Sequence, residues 1–161
     1  MRKADVDNDL VKVAGLVEEA GGEVIILSGM VTDNNGAPQE GMRVEIWQCD
    51  LNGKYLHPGD NRSVDYDHGF QGFGHDITGP DGRYSFRTIK PGKYPGRTPH
   101  IHVKVFNETQ EVLTTQFYED NPSENSNDSL YRRLSAEQAN SVVMKYRTTE
   151  VGEETTVNII V

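Results

Sequence analysis

Four side chains able to bind a metal or polarise a substrate fall within nine positions, in the run Tyr94-Pro95-Gly96-Arg97-Thr98-Pro99-His100-Ile101-His102. Beyond His100, the residues Ile101, Val103 and Val105 supply a β-branched apolar set at period two, the pattern of a half-buried strand. The imidazoles of His100 and His102 therefore emerge on the same side. Pro99 keeps Thr98 out of helical geometry, and Gly96 allows the bend that would carry Tyr94 back towards the histidines. Neutral imidazole suits iron, copper or zinc, whereas a phenolate is a hard anionic donor matched to a ferric ion. The cluster holds no thiolate, as a structural zinc site would want. It also has no Asp or Glu between Tyr94 and Val105, so a ferrous site of two His and one carboxylate would need an acid from elsewhere. Taken singly, each residue has a plainer reading: two His on a polar sheet face, a tyrosine after a turn, an arginine at the surface.

The elements that must position this run are short and β-rich. Residues 1–22 are polar and acidic, with one weak amphipathic stretch from Leu10 to Val17, and are read as an N-terminal arm; residues 23–161 form the main domain. Glu23 to Thr32 is dense in β-formers, and Asn34-Asn35-Gly36 signals a turn into a second strand, Arg43 to Cys49, which predicts a hairpin. In that second strand Val44, Ile46 and Gln48 share one face, and Trp47 and Cys49 share the other with Arg43 and Glu45. Asp50 to Gly82 reads as a long, glycine-rich loop, of the kind that usually carries function. Gly79-Pro80-Asp81-Gly82 is a tight turn into the alternating strand Tyr84 to Ile89, which Pro91-Gly92 ends just before Tyr94. Val112 to Tyr118 and Thr155 to Val161 read as further strands, Glu119 to Ser129 as an acidic loop, and Ser135 with Gln138 as the capping box of a short helix. The expected class is all-β: an antiparallel β-sandwich with short peripheral helices and long active-site loops.

A chain of 161 residues is most simply one domain, and its single cysteine, Cys49, cannot form an internal disulfide. The formal charge of −9 argues against phosphate or anionic-membrane partners and for a small molecule. No run approaches the roughly 18 apolar residues of a membrane span, and MRKADVDNDL has no apolar leader, so a cytoplasmic location is expected.

Three longer pieces, VEIWQCDLNGKYLHPGD, FQGFGHDITGPDGRYSFRTIKPGKYPGRTPHIHVKV and LTTQFYEDNP, resemble in order and separation the catalytic domain of the intradiol ring-cleavage dioxygenases, nearest the protocatechuate 3,4-dioxygenase branch. The resemblance runs from about Gly29 to Asp128. It implies a ferric ion, Fe(III), non-haem, held by Tyr55 in a Gly-x-Tyr motif, Tyr94, His100 and His102. It implies further that Tyr94 leaves the metal when substrate binds and that Arg97 and Gln116 act on substrate or oxygen. The substrate would be a catechol-type aromatic and O2, opened between its two hydroxylated carbons to a cis,cis-muconate. Charge fits this scheme: a ferric ion less two phenolates keeps one positive charge, which a hydroxide cancels, and a catechol dianion that replaces the hydroxide and one phenolate leaves the site neutral again. No counterpart of the long helical N-terminal region of the catechol 1,2-dioxygenase branch is read in residues 1–22. A homo-oligomer is compatible with the resemblance.

Two other readings compete. A non-catalytic transthyretin-like β-sandwich binding module would show the same short strands and turns but needs no tyrosine-histidine quartet. A ferrous or zinc site built from His100, His102 and a distant acid would lack the visible tyrosinate-to-ferric absorption. His57, His68 and His75, in the glycine-rich stretch, are read as solvent-facing or supporting residues, and Tyr66 as the rival of Tyr55.

Overall fold

A computed structural model describes residues 7–11, 22–50, 72–92, 97–150 and 152–161. Ten strands among them form two five-stranded sheets. One sheet contains β2 (Arg43–Trp47), β3 (Phe73–Ile77), β5 (His100–Asn107), β6 (Gln110–Glu119) and β7 (Val143–Met144), in the order β3-β2-β5-β6-β7. The other is built on β1 (Val24–Thr32), which pairs antiparallel with β4 (Arg83–Ile89) and parallel with β9 (Gly152–Thr156) and β10 (Ile159–Ile160); β8 (Tyr146–Thr149) adds antiparallel to β9. Most pairings are antiparallel, as the strand pattern implies, and the late strands β7, β9 and β10 join in parallel.

The inner faces follow the period-two pattern. Leu27 and Val31 of β1 and Tyr84 and Phe86 of β4 meet Val44 and Ile46 of β2 and Ile101, Val103 and Val105 of β5, all buried in one cluster. Burying such a side chain contributes roughly 1.5–3 kcal/mol each, which fixes β5 in register and turns its alternate residues to the opposite face. A polar bridge joins the sheets inside this core: the Gln48 amide donates to Ile89 O at 2.9 Å and accepts from Thr88 Oγ1 at 2.7 Å.

The structure corrects the sequence reading at several elements, and the single strand read over Thr155 to Val161 is divided between the end of β9 (Gly152–Thr156) and β10 (Ile159–Ile160). The strands on either side of the Asn34-Asn35-Gly36 turn do not pair as a hairpin, because β1 takes β4 as its partner and β2 takes β3 and β5 in the other sheet. The stretch read as continuous loop to Gly82 contains β3, whose Gly74 lies too close to Leu10 and Asp7 O to admit a side chain. Asp7 O also accepts from His75 N, and Leu10 and Val11 are fully buried, so this part of the arm is packed into the core. The helices are short, as expected: α1 (Pro122–Asn125), a 3-10 turn (Tyr131–Arg133) and α2 (Ala136–Ser141), the last with the predicted Ser135–Gln138 capping box. No helix among the described residues is long and apolar enough to cross a membrane.

Candidate functional site

The site lies on the outer face of the β2-β5-β6 sheet, and strand register assembles it. His102 faces Trp47 across β2 and Gln116 across β6, while His100 faces Tyr118. Directly opposed residues on one face of a sheet stand about 4.5–5.5 Å apart at Cβ, so five side chains from three strands share one patch.

The two imidazoles meet: His100 Nε2 and His102 Nε2 are 3.2 Å apart, and the rings sit edge to face. Two nitrogens each about 2.1 Å from a common ion and near a right angle are themselves roughly 3 Å apart, so this spacing suits a shared metal. His100 is tied for that role, since its Nδ1 lies 2.7 Å from Thr98 O, which holds the proton on Nδ1 and leaves Nε2 with its lone pair. His102 lies flat on Trp47, with ring centroids 4.8 Å apart and an interplanar angle of 2°. Its Nδ1 is 3.2 Å from the Gln116 amide nitrogen, which places the ring proton on Nε2, and ligation through Nε2 requires the other tautomer, with the proton on Nδ1. Neither ring is disposed to hold a second proton. Burial, together with the neighbouring His100 and Arg97, lowers the His102 pKa to about 4, and burial followed by Arg97 lowers that of His100 against the pull of Thr98 O and Asp128. Two neutral imidazoles are what a metal site needs.

Arg97 is fixed beside them. Its Nε donates to Asp128 Oδ2 at 2.6 Å and its Nη2 to Gln116 Oε1 at 2.6 Å, and Tyr118 donates its hydroxyl to the same Gln116 oxygen at 3.0 Å. Gln116 is thus oriented by two donors on one side and turned towards His102 on the other. Burial pushes the Asp128 carboxyl up, but its hydrogen bonds from Arg97 and from the Tyr131 and Thr98 backbone outweigh this and leave it below the usual carboxylate range. The sequence reading singles out His100, His102, Arg97 and Gln116, and the structure brings all four together. Tyr55 and Tyr94 lie outside the described residues, as do His57, His68 and Tyr66. His75 sits on β3, half-buried. Among the described residues no third His, Cys, Asp or Glu joins the two imidazoles.

Three participants escape the sequence reading. Tyr118 stands two positions after Gln116 on the same strand face, a signal that period two offers once Gln116 is chosen. Trp47 needs the β2-β5 register to reveal it. Asp128 lies 31 positions after Arg97 in an irregular segment, where no periodicity points to it.

A family model described as Dioxygenase matches residues 1–160. The chain is 40% identical over 121 residues to the protocatechuate 3,4-dioxygenase beta chain of Burkholderia cepacia, covering 70% of this chain and 52% of that one. It is 31% identical over 121 residues to the catechol 1,2-dioxygenase of Candida albicans, covering 64% and 39%. It therefore spans about half the length, or less, of these curated relatives. Among solved structures, the dioxygenase domain of a dioxygenase carbohydrate-binding protein fusion from Streptomyces sp. SirexAA-E matches with a TM-score of 0.74 at 32% identity, covering 100% of this chain and 90% of that one. The 3-chlorocatechol 1,2-dioxygenase from Rhodococcus opacus 1CP shares the fold at 21% identity, with a TM-score of 0.73 over 99% of this chain and 67% of that one.

Proposed function

The chain belongs to the intradiol ring-cleavage dioxygenase family, and we propose that it is a non-haem ferric enzyme that opens a catechol-type ring between its two hydroxylated carbons. Both atoms of O2 enter the product, a cis,cis-muconate. The observation that carries this reading is the approach of His100 Nε2 and His102 Nε2 to 3.2 Å, beside an arginine whose Nε and Nη2 are both held. His100 and His102 would hold the iron with Tyr55 and Tyr94, and a ferric ion there would keep the diol as a chelated, electron-rich diphenolate open to reaction with O2.

The residues of the chain then divide the work. His100 and His102 bind as neutral donors, His102 through the tautomer that carries its proton on Nδ1. Tyr94, as the resemblance implies, takes one substrate proton as the catechol binds. Arg97 places a fixed positive charge where negative charge gathers on the opening ring, and such preorganised donors contribute roughly 100- to 1000-fold in rate. Gln116, held by Arg97 and Tyr118, orients substrate or oxygen by hydrogen bonding. Residues 23–161 carry this site, with Leu10 and Val11 of the arm packed into the core behind it. Relatives named as alpha and beta chains make self-association part of the same reading.

Iron-loaded protein tests the proposal by oxygen uptake and product analysis across catechol, protocatechuate, hydroxyquinol and chlorinated catechols. A visible tyrosinate-to-ferric band and a ring-opened diacid are expected, and both are lost in His100→Ala and His102→Ala. A loaded protein that yields no ring-opened product from any of these diols overturns the assignment.

A further inference from the structure

Asp128 is the one carboxylate in contact with the catalytic group among the described residues, and it does so from complete burial: its side chain is 0% exposed. Both oxygens are fully used. Oδ2 accepts from Arg97 Nε at 2.6 Å and Thr98 N at 3.1 Å, and Oδ1 from Leu130 N at 3.0 Å and Tyr131 N at 3.2 Å. One carboxylate thus closes the turn into the 3-10 helix with one oxygen and anchors the approach to β5 with the other. Thr98, whose N–H it holds, also presents the carbonyl that orients His100, and Thr98 Oγ1 donates to Asn125 Oδ1 at 2.8 Å.

We infer that Asp128 is a positioning residue that aims the Arg97 guanidinium at the reacting ring. A planar guanidinium held at Nε alone could still swing, and one held at Nη2 alone could twist; held at both, its plane is set. The contact to Asp128 uses Nε rather than the Nη pair, so the end of the fork stays turned towards Gln116 and the imidazoles. The inference rests on the ring-opening function proposed above for its kinetic consequence, but not for its geometry.

In Asp128→Asn an NH2 group must face either Arg97 Nε and Thr98 N or the two turn N–H groups, so one pair loses its acceptor. Iron content and the visible band should stay at wild-type levels, kcat for catechol should fall by about 100-fold, and KM should move little, the pattern of a misplaced group acting on the transition state. In an Arg97→Leu background the same change should add almost nothing, because its effect passes through Arg97. The Arg97 Nε–H resonance should exchange slowly in the wild type and rapidly in Asp128→Asn, whatever the protein catalyses. If Asp128→Asn does not fold, Asp128→Ser takes its place, since a serine hydroxyl can still cap Leu130 N and Tyr131 N while leaving Arg97 without an anion. A variant with wild-type kcat, losses that multiply with those of Arg97→Leu, or an unchanged Nε–H exchange rate each overturns the inference. A wild-type protein that opens no diol while Arg97 Nε–H loses protection in the variant sinks the ring-opening reading and leaves the positioning role standing.

Discussion

His102 owes its orientation to two neighbours on different strands, the Trp47 ring beneath it and the Gln116 amide at its far nitrogen. Trp47 holds the ring plane without touching a metal, and it is the only tryptophan in the chain. Trp47→Leu should therefore weaken iron retention by roughly 10- to 100-fold, the usual cost of losing a residue that supports a ligand, with little loss of fold. Competition with a calibrated chelator measures this, and an unchanged affinity would show that the stack is incidental. The same residues mark what a sequence can show at this scale. His100, His102, Arg97 and Gln116 are legible because alternation along a strand, or the motif around it, predicts where each points. Trp47 and Asp128 are not, since one depends on which strands become neighbours and the other on a contact across 31 positions.

At the level of elements, the approach of β1 to the residues after β9 is as tight as backbones allow. A Cβ built on Gly29 would lie 1.9 Å from Val157 O and 2.9 Å from Tyr84 Cε1, and the Tyr84 hydroxyl donates to that same carbonyl at 2.5 Å. Gly29→Ala must push the two strands apart, at a cost of about 3 kcal/mol, which for a chain of this size lowers Tm by roughly 6–12 °C. Tyr84→Phe should cost less, about 1–2 kcal/mol, because it only leaves Val157 O without its donor. Thermal melts that rank the pair in the opposite order would contradict this packing. Most strands are legible in the sequence, because β2, β4 and β5 each carry a clean apolar alternation and β1 and β6 are dense in β-formers. Their partners are not: a turn signal after β1 suggests a hairpin, yet the core is closed by placing β1 and β2 in opposite sheets. The strands β3, β7, β8 and most of β9 are missed for another reason. They are short or rich in glycine and polar residues, and pairing with their neighbours, rather than propensity, makes them strands.

For the molecule as a whole, class and family follow from pattern and motif, while the net charge of −9 leaves open how the acids are distributed. The structure gathers three of them, Glu23, Glu119 and Glu153, around Lys90 and Tyr146. Lys90 Nζ lies 2.9 Å from Glu23 and 2.8 Å from Glu153, and 4.4 Å from the centre of the Tyr146 ring, whose hydroxyl donates to Glu119 Oε1 at 2.8 Å. Burial raises the Glu119 pKa; Tyr146 and Lys90 oppose the shift, Glu23 and Glu153 add to it, and the net result is upward. A carboxyl raised in the folded chain binds its proton more readily there than in the unfolded one, whose pKa is about 4.3. Below that value both states are protonated and Glu119 has no effect on stability. The cost grows as pH rises above the unfolded pKa and levels off once the pH has passed the folded one. Glu119→Gln keeps an acceptor for Tyr146 and removes the charge, so its Tm should exceed the wild type's at pH 7. The gain should shrink towards nothing as the pH approaches 4. A variant less stable than wild type at pH 7, or a difference that does not change between the two pH values, would mean that Lys90 repays the cost of burying this third acid in full.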